Sequence, residues 1–150
     1  MSPSVLVCVS NDELVVLDQT LLPNEERYLT LHTAEEVAEA IAKLRVRGAP
    51  LIGIAAAMGL YVSVFHQVKQ GISFKEALVH CAAIIGDARP TAVNLRWAID
   101  RMLRCGTSLE RLMQEALAIQ QEAEATFEAI GLAGSTLIHD GMGILTHCNA

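Results

Sequence analysis

The chain has 150 residues, 52% hydrophobic and 19% charged, with a formal net charge of −6. That length suits a single domain with a real core, and so apolar a composition leaves surface for a partner subunit or a second domain. The acidic balance excludes non-specific nucleic-acid binding, which needs basic patches against phosphates, but leaves room for a small anion held by local arginines. Four cysteines (Cys8, Cys81, Cys105 and Cys148) form no CxxC pair, and no signal peptide is visible, which together predict reduced thiols in a cytoplasmic protein. No run approaches about 20 uninterrupted apolar residues, so no membrane span is expected.

The first thirty residues read as strands. "SVLVCVS" (4–10) and "ELVVLDQT" (13–20) are β-branched runs joined by the turn signal Asn11-Asp12, and "ERYLTLH" (26–32) alternates in the strand manner. The chain then turns helical. Thr33 with Glu36, Ser73 with Glu76 and Thr107 with Glu110 each fit a capping box, in which hydroxyl and carboxylate satisfy orphan N–H groups at a helix start. The predicted helices run over about 34–45, 50–69, 74–85, 91–104 and 108–130. Pro50 suits the first helical position, while Gly71, Gly86, Gly106 and Gly131 fall where helices end. The last helix gathers Leu109, Leu112, Met113, Ala116, Leu117, Ala123, Phe127 and Ile130 on one apolar face. "STLIHDGMGILTHCNA" reads as a short helix, a glycine turn and a buried strand, "GILTH". A strand that opens a parallel sheet needs neighbours, so the chain reads as cut at the threshold of a second unit.

Three stretches carry chemistry. "KLRVRGAPLIGIAAAMG" (43–59) sets Arg45 and Arg47 beside a Gly-Ala-Pro helix entrance. As structure it is a helix boundary, with Arg45 suiting the negative end of the preceding helix. As a site it is an anion cradle: free N–H groups at the helix start, a glycine admitting close approach, and the Arg47 fork. "GDARPTAVNLRWAIDRM" (86–102) repeats the arrangement with Arg89 at the entrance and Asn94 one turn in. The plain alternative is an ordinary loop in which Pro90 ends one helix and Thr91 begins the next. "LTHCNA" (145–150) puts Cys148 just past the expected strand, where open α/β sheets hold their ligands; the plain alternative is a small buried hydrophobe. His147 and Cys148 are adjacent and so point to opposite sides of an extended chain, which argues against a metal site, and "HDG" at 139–141 reads as a turn.

"LDQTLLP", "VRGAPLIGIAAAMG", "ARPTAVNL" and "LTHCNA", in this order and at these intervals, resemble the methylthioribose-1-phosphate isomerases of methionine salvage. These are related to the sugar-phosphate isomerase superfamily that includes initiation factor 2B subunits, and the resemblance covers essentially the whole chain. It implies an α+β architecture: a small N-terminal β-meander followed by a helical bundle (1–132), ending at the first strand of a truncated Rossmann-like parallel-sheet domain (133–150). It implies isomerisation of 5-methylthioribose 1-phosphate to the ketose 1-phosphate without metal or organic cofactor, in a homodimeric parent. By the motif match, Arg47, Gly48 and Ala49 contact the substrate, Arg89 binds its phosphate, and Cys148 is the active-site cysteine. The family's acid/base aspartate lies beyond the matched stretch and Asp140 does not correspond to it, so the 150 residues alone are expected to be inactive.

Other readings stay open: a neighbouring isomerase acting on 5-deoxyribose 1-phosphate or ribose 1,5-bisphosphate, a regulatory subunit of the initiation factor 2B type, or an interaction module. Cys148 and the two arginine-bearing entrances favour the isomerase.

Overall fold

The computed structural model describes residues 7–10 and 12–145. Among them are three strands, β1 (Val7–Ser10), β2 (Glu13–Leu17) and β3 (Tyr28–Leu31). Five helices follow: α1 (Ala34–Ala42), α2 (Ala49–Lys69), α3 (Phe74–Gly86), α4 (Val93–Cys105) and α5 (Leu109–Ser135). The strands form an antiparallel meander in the order β1-β2-β3, in a register that pairs Val9 with Leu14 and Leu14 with Leu31. Leu14 and Val16, two residues apart on β2, are fully buried, as period-two alternation requires of a sheet with one covered face. The β1–β2 turn rests on α2. Asp12 takes φ +60°, its carboxylate accepts from the Tyr61 hydroxyl at 3.0 Å, and its carbonyl meets His66 Nε2 at 3.0 Å.

The central element is α2. By length and composition it could cross a membrane, contrary to the expectation that no stretch could, yet every residue from Ile52 to Val64 is buried within the protein. A helix apolar all round belongs in a core, and its "GIAAAMG" run lets neighbours close in from several sides. A Cβ on Gly53 would stand 3.0 Å from the Asn94 carbonyl oxygen of α4, and one on Gly59 2.6 Å from Val37 Cγ1 of α1.

Helix starts follow local chemistry. Thr33 forms the full capping box: its hydroxyl accepts from the Glu36 N–H, and the Glu36 carboxylate accepts from the N–H groups of Thr33 and His32. Those bonds, first the one from His32, hold the Glu36 carboxyl below its ordinary value. Ser73 caps α3 through the Glu76 N–H. At α5 the cap is Ser108, bonded to the Arg111 N–H, not Thr107, because the helix begins one residue later than expected.

Two expectations at the C-terminal end are corrected. Gly131 does not end the last helix; α5 continues to Ser135 and passes through 132–133 without a break. Its apolar face is buried only at Leu112, Ala116 and Ile119, whereas Leu117, Phe127 and Ile130 are exposed, because among the described residues little covers the helix beyond Ala123. Residues 143–145 carry no strand. Leu145 is 98% exposed, and a strand without a neighbouring strand has no partner for its backbone groups. The rest of the expected strand, 146–147, lies outside the described residues. Residues 139–142 do form the expected turn, with the Met142 N–H on the His139 carbonyl and Gly141 at φ +86°.

Candidate functional site

The helix entrances divide into two kinds. α1, α3 and α5 each begin with a hydroxyl cap and a glutamate in the first turn. α2 and α4 have Gly48 and Ala92 at the cap position, with no side-chain cap and no acid in the first turn. These two bare entrances open on the same groove, of about 410 Å³, between Gly48, Ala49 and Ile52 on one side and Arg89, Thr91 and Asn94 on the other. Each uncapped helix start presents backbone N–H groups and the positive end of a helix dipole. Two such starts and a guanidinium at one depression favour an anion.

The backbone at α2 requires its glycine. Gly48 takes φ +95°, a conformation that L side chains rarely adopt, and the first intrahelical bond runs from the Ile52 N–H to its carbonyl at 2.9 Å. Helix α2 begins at Ala49, so Pro50 is the second helical residue rather than the first. Across the groove, the Ala92 N–H bonds the Arg89 carbonyl at 3.0 Å. That turn keeps the half-buried Arg89 at the mouth of α4, which starts at Val93 rather than at 91.

Of the residues singled out from sequence, the structure therefore brings Gly48, Ala49 and Arg89 to one groove, with Asn94 beside them. Arg47, next to Gly48 in the chain, does not line the groove; it is half-buried, and its Nε donates to the Leu44 carbonyl at 3.2 Å. Cys148 lies outside the described residues. Arg45 does not serve the end of α1 as a free cation. Its Nη1 donates to Asp18 Oδ2 at 2.6 Å, and its Nε and Nη2 donate to the two Glu39 oxygens at 3.0 and 3.1 Å. These bonds, Glu39's first, hold the guanidinium more firmly protonated than usual. Burial would raise the Asp18 carboxyl, but hydrogen bonds from Thr20 and Arg45 outweigh it and leave Asp18 below its ordinary value.

Next to the groove, and sharing Asn94 with it, is an apolar cavity of about 290 Å³ lined by Pro50, Ile54, Trp97 and Phe127 among others. Burial holds both cysteines with described side chains toward the neutral thiol. Cys81 is fully buried and its thiol is pushed up to about 11 by burial, while the half-buried Cys105 thiol is raised for the same reason and donates to the Met102 carbonyl.

The architecture is α+β, with a groove between two bare helix starts whose backbone N–H groups and arginine suit a small anion. The sequence matches the Initiation factor 2 subunit family (IF-2B) over residues 45–150, and the chain belongs to that family. It is 47% identical over 149 residues to a 5-deoxyribose 1-phosphate isomerase of Petrotoga mobilis, covering 93% of this chain and 43% of that protein. It is 50% identical over 147 residues to a methylthioribose-1-phosphate isomerase of Symbiobacterium thermophilum, covering 91% and 41% respectively. Among solved structures it resembles 5-methylthioribose 1-phosphate isomerase from Pyrococcus horikoshii, with TM-score 0.72 and 32% identity over 81% of this chain and 37% of that one. It also resembles the translation initiation factor eIF-2B delta subunit from A. fulgidus, with TM-score 0.74 and 33% identity over 91% and 42%. The chain thus spans a little over two fifths of the length of these curated relatives.

Proposed function

We propose that these residues form the phosphate-holding part of a cytoplasmic aldose–ketose isomerase acting on a pentose 1-phosphate. The single observation that carries this reading is the convergence of the two uncapped helix starts and Arg89 on one groove. Phosphate is the dianion that such an arrangement holds best, and relatives of both isomerase names support a sugar phosphate as the substrate.

In this reading Arg89 and the N–H groups following Gly48 bind the C1 phosphate, and Arg47 swings from the Leu44 carbonyl to complete the clamp. The phosphate blocks simple opening of the sugar to a free aldehyde. Catalysis therefore opens a phosphorylated ring and moves hydrogen between C2 and C1. Fixed cations hold the dianion through the charge changes. Cys148 stabilises the reacting centre, and an acid/base carboxylate from the portion that relatives carry outside the match protonates the ring oxygen. The working form is a homodimer of the longer protein, and no cofactor is needed.

The substrate is 5-methylthioribose 1-phosphate, as in the Symbiobacterium relative. 5-Deoxyribose 1-phosphate, as in the Petrotoga relative, is the second candidate. Joining residues 1–150 to the remaining segment of the Symbiobacterium protein and assaying both sugars, with ribose 1,5-bisphosphate alongside, tests the reading. Ketose formation that disappears in Arg89→Gln supports it; a folded chimera inactive on all three sugars overturns it. The likeness to the eIF-2B delta subunit supports a second, regulatory reading, which predicts no turnover in that assay.

A further inference from the structure

The segment that carries Gly48 and Ala49 to the groove is irregular backbone between α1 and α2. Helix α1 ends in a Schellman motif: the Leu44 N–H bonds the Ile41 carbonyl at 3.2 Å, and the Arg45 N–H bonds the Ala40 carbonyl at 2.9 Å. The residue in the left-handed position is Leu44, at φ +59°, where glycine is the usual occupant. Four residues later Gly48 is again left-handed, at φ +95°. A stretch with two such reversals has no ladder of its own to hold it.

What holds it is Arg45. Its carbonyl accepts from the Gln19 N–H at 2.9 Å, which ties the backbone to the end of β2. Its guanidinium forks onto Glu39 of α1 and reaches Asp18, which is only 2% exposed. The same Asp18 carboxylate accepts from the Thr20 N–H and hydroxyl at 3.0 and 2.6 Å, so the anchor is itself fixed. Val46, the next residue, is buried. With two carboxylates on one guanidinium, Arg45 has no charge left for a ligand in the groove. Its geometry serves the loop.

We propose that Arg45 is a positioning residue for the anion groove: by clasping Asp18 and Glu39 it sets the course of residues 44–48, and with it the placement of Arg47 and of the Gly48 and Ala49 backbone. The phosphate half of this inference rests on the function proposed above; the loop half does not.

The test uses the ¹⁵N-labelled 150-residue chain with inorganic phosphate as the probe, at a temperature where circular dichroism shows every variant folded. In Arg45→Met the Gly48 and Ala49 amide resonances move and the phosphate Kd rises at least fivefold; Arg45→Lys, which keeps the contact to Asp18, recovers part of both. Arg101→Met removes a second ion cluster, with Glu115 and Glu122, and should lower the melting temperature without moving either readout. If Arg45→Met fails to fold, Arg45→Lys and Asp18→Asn carry the comparison. Unmoved amides, or moved amides with unchanged Kd, overturn the proposal. If the unmutated chain does not bind phosphate, the groove reading fails, and the amide positions alone decide whether Arg45 places the loop.

Discussion

Gly59 of α2 faces Val37 of α1 so closely that a Cβ at 59 would stand 2.6 Å from Val37 Cγ1 and 2.8 Å from its Cγ2. Val37 is buried and β-branched, with little rotamer freedom to yield. Gly59→Ala should therefore destabilise the fold by about 1–3 kcal/mol through overpacking, although alanine is otherwise the better helix former. Urea unfolding measures it, and the double variant with Val37→Ala should recover part of the loss. An additive double variant would show that the two sites are independent.

Leu44 is the reverse case. Its side chain is 42% exposed, so little packing offsets the left-handed backbone it adopts. Leu44→Gly should stabilise the chain by roughly 0.5–1 kcal/mol, the relief of αL strain less the added freedom of the unfolded chain. Thermal melting of the single variant checks it; a lower melting temperature would mean that the Leu44 side chain contributes more packing than its exposure suggests.

The bare start of α4 offers a test with opposed outcomes. Ala92 has extended backbone at φ −80° and ψ 97°, compatible with a capping residue. Ala92→Asp should strengthen the helix by about 0.5–2 kcal/mol, yet it sets a carboxylate in the groove and should abolish phosphate binding. Arg89→Gln should weaken phosphate binding roughly tenfold or more, the scale of one charge-assisted hydrogen-bonded contact, with little change in stability. Calorimetric titration with phosphate and parallel melting curves separate the two effects. Were Ala92→Asp to bind phosphate as well as the parent, the two helix starts would not be acting on an anion.

Acid should act through Asp18 and Glu36. Both carboxyls are held below their ordinary values in the folded chain, so each contributes stability that is full above the unfolded pKa and is lost as pH falls through the folded one. Stability measured from pH 7 to pH 3 should fall below about pH 4–4.5, the ordinary carboxylate range. Asp18→Asn should be less stable at neutral pH and show a shallower acid dependence. An unchanged slope would place the acid sensitivity elsewhere.

Much of the architecture was legible because local signals agreed with one another. Hydroxyl–glutamate pairs at 33–36 and 73–76 marked true helix starts, while two β-branched runs and the alternation at 26–32 marked the three strands. The candidate groove was half legible. "VRGAP" and "ARPTAVN" named both walls, and the missing caps at Gly48 and Ala92 are themselves written in the sequence. That both walls serve one ligand was an expectation drawn from two similar arginine-bearing entrances, and the packing of α4 on the small-residue face of α2 is what brings them together. The pairing of Arg45 with Asp18 was equally hidden: two charges 27 positions apart carry no periodicity, and beside a helix end Arg45 looks like any terminal cation. The end of α5 went astray for a related reason. Its apolar pattern continues past Ala123, but periodicity reports what a face is fit to bury, and only the tertiary structure decides what is there to cover it. By itself, then, the sequence determined the order of the described elements, the caps of α1 and α3 and the residue types at both helix entrances, because these depend on neighbours within a few positions. The tertiary structure alone decided how the entrances meet, which arginine is neutralised and which is left at the groove, because burial and charge pairing act between elements distant in the chain.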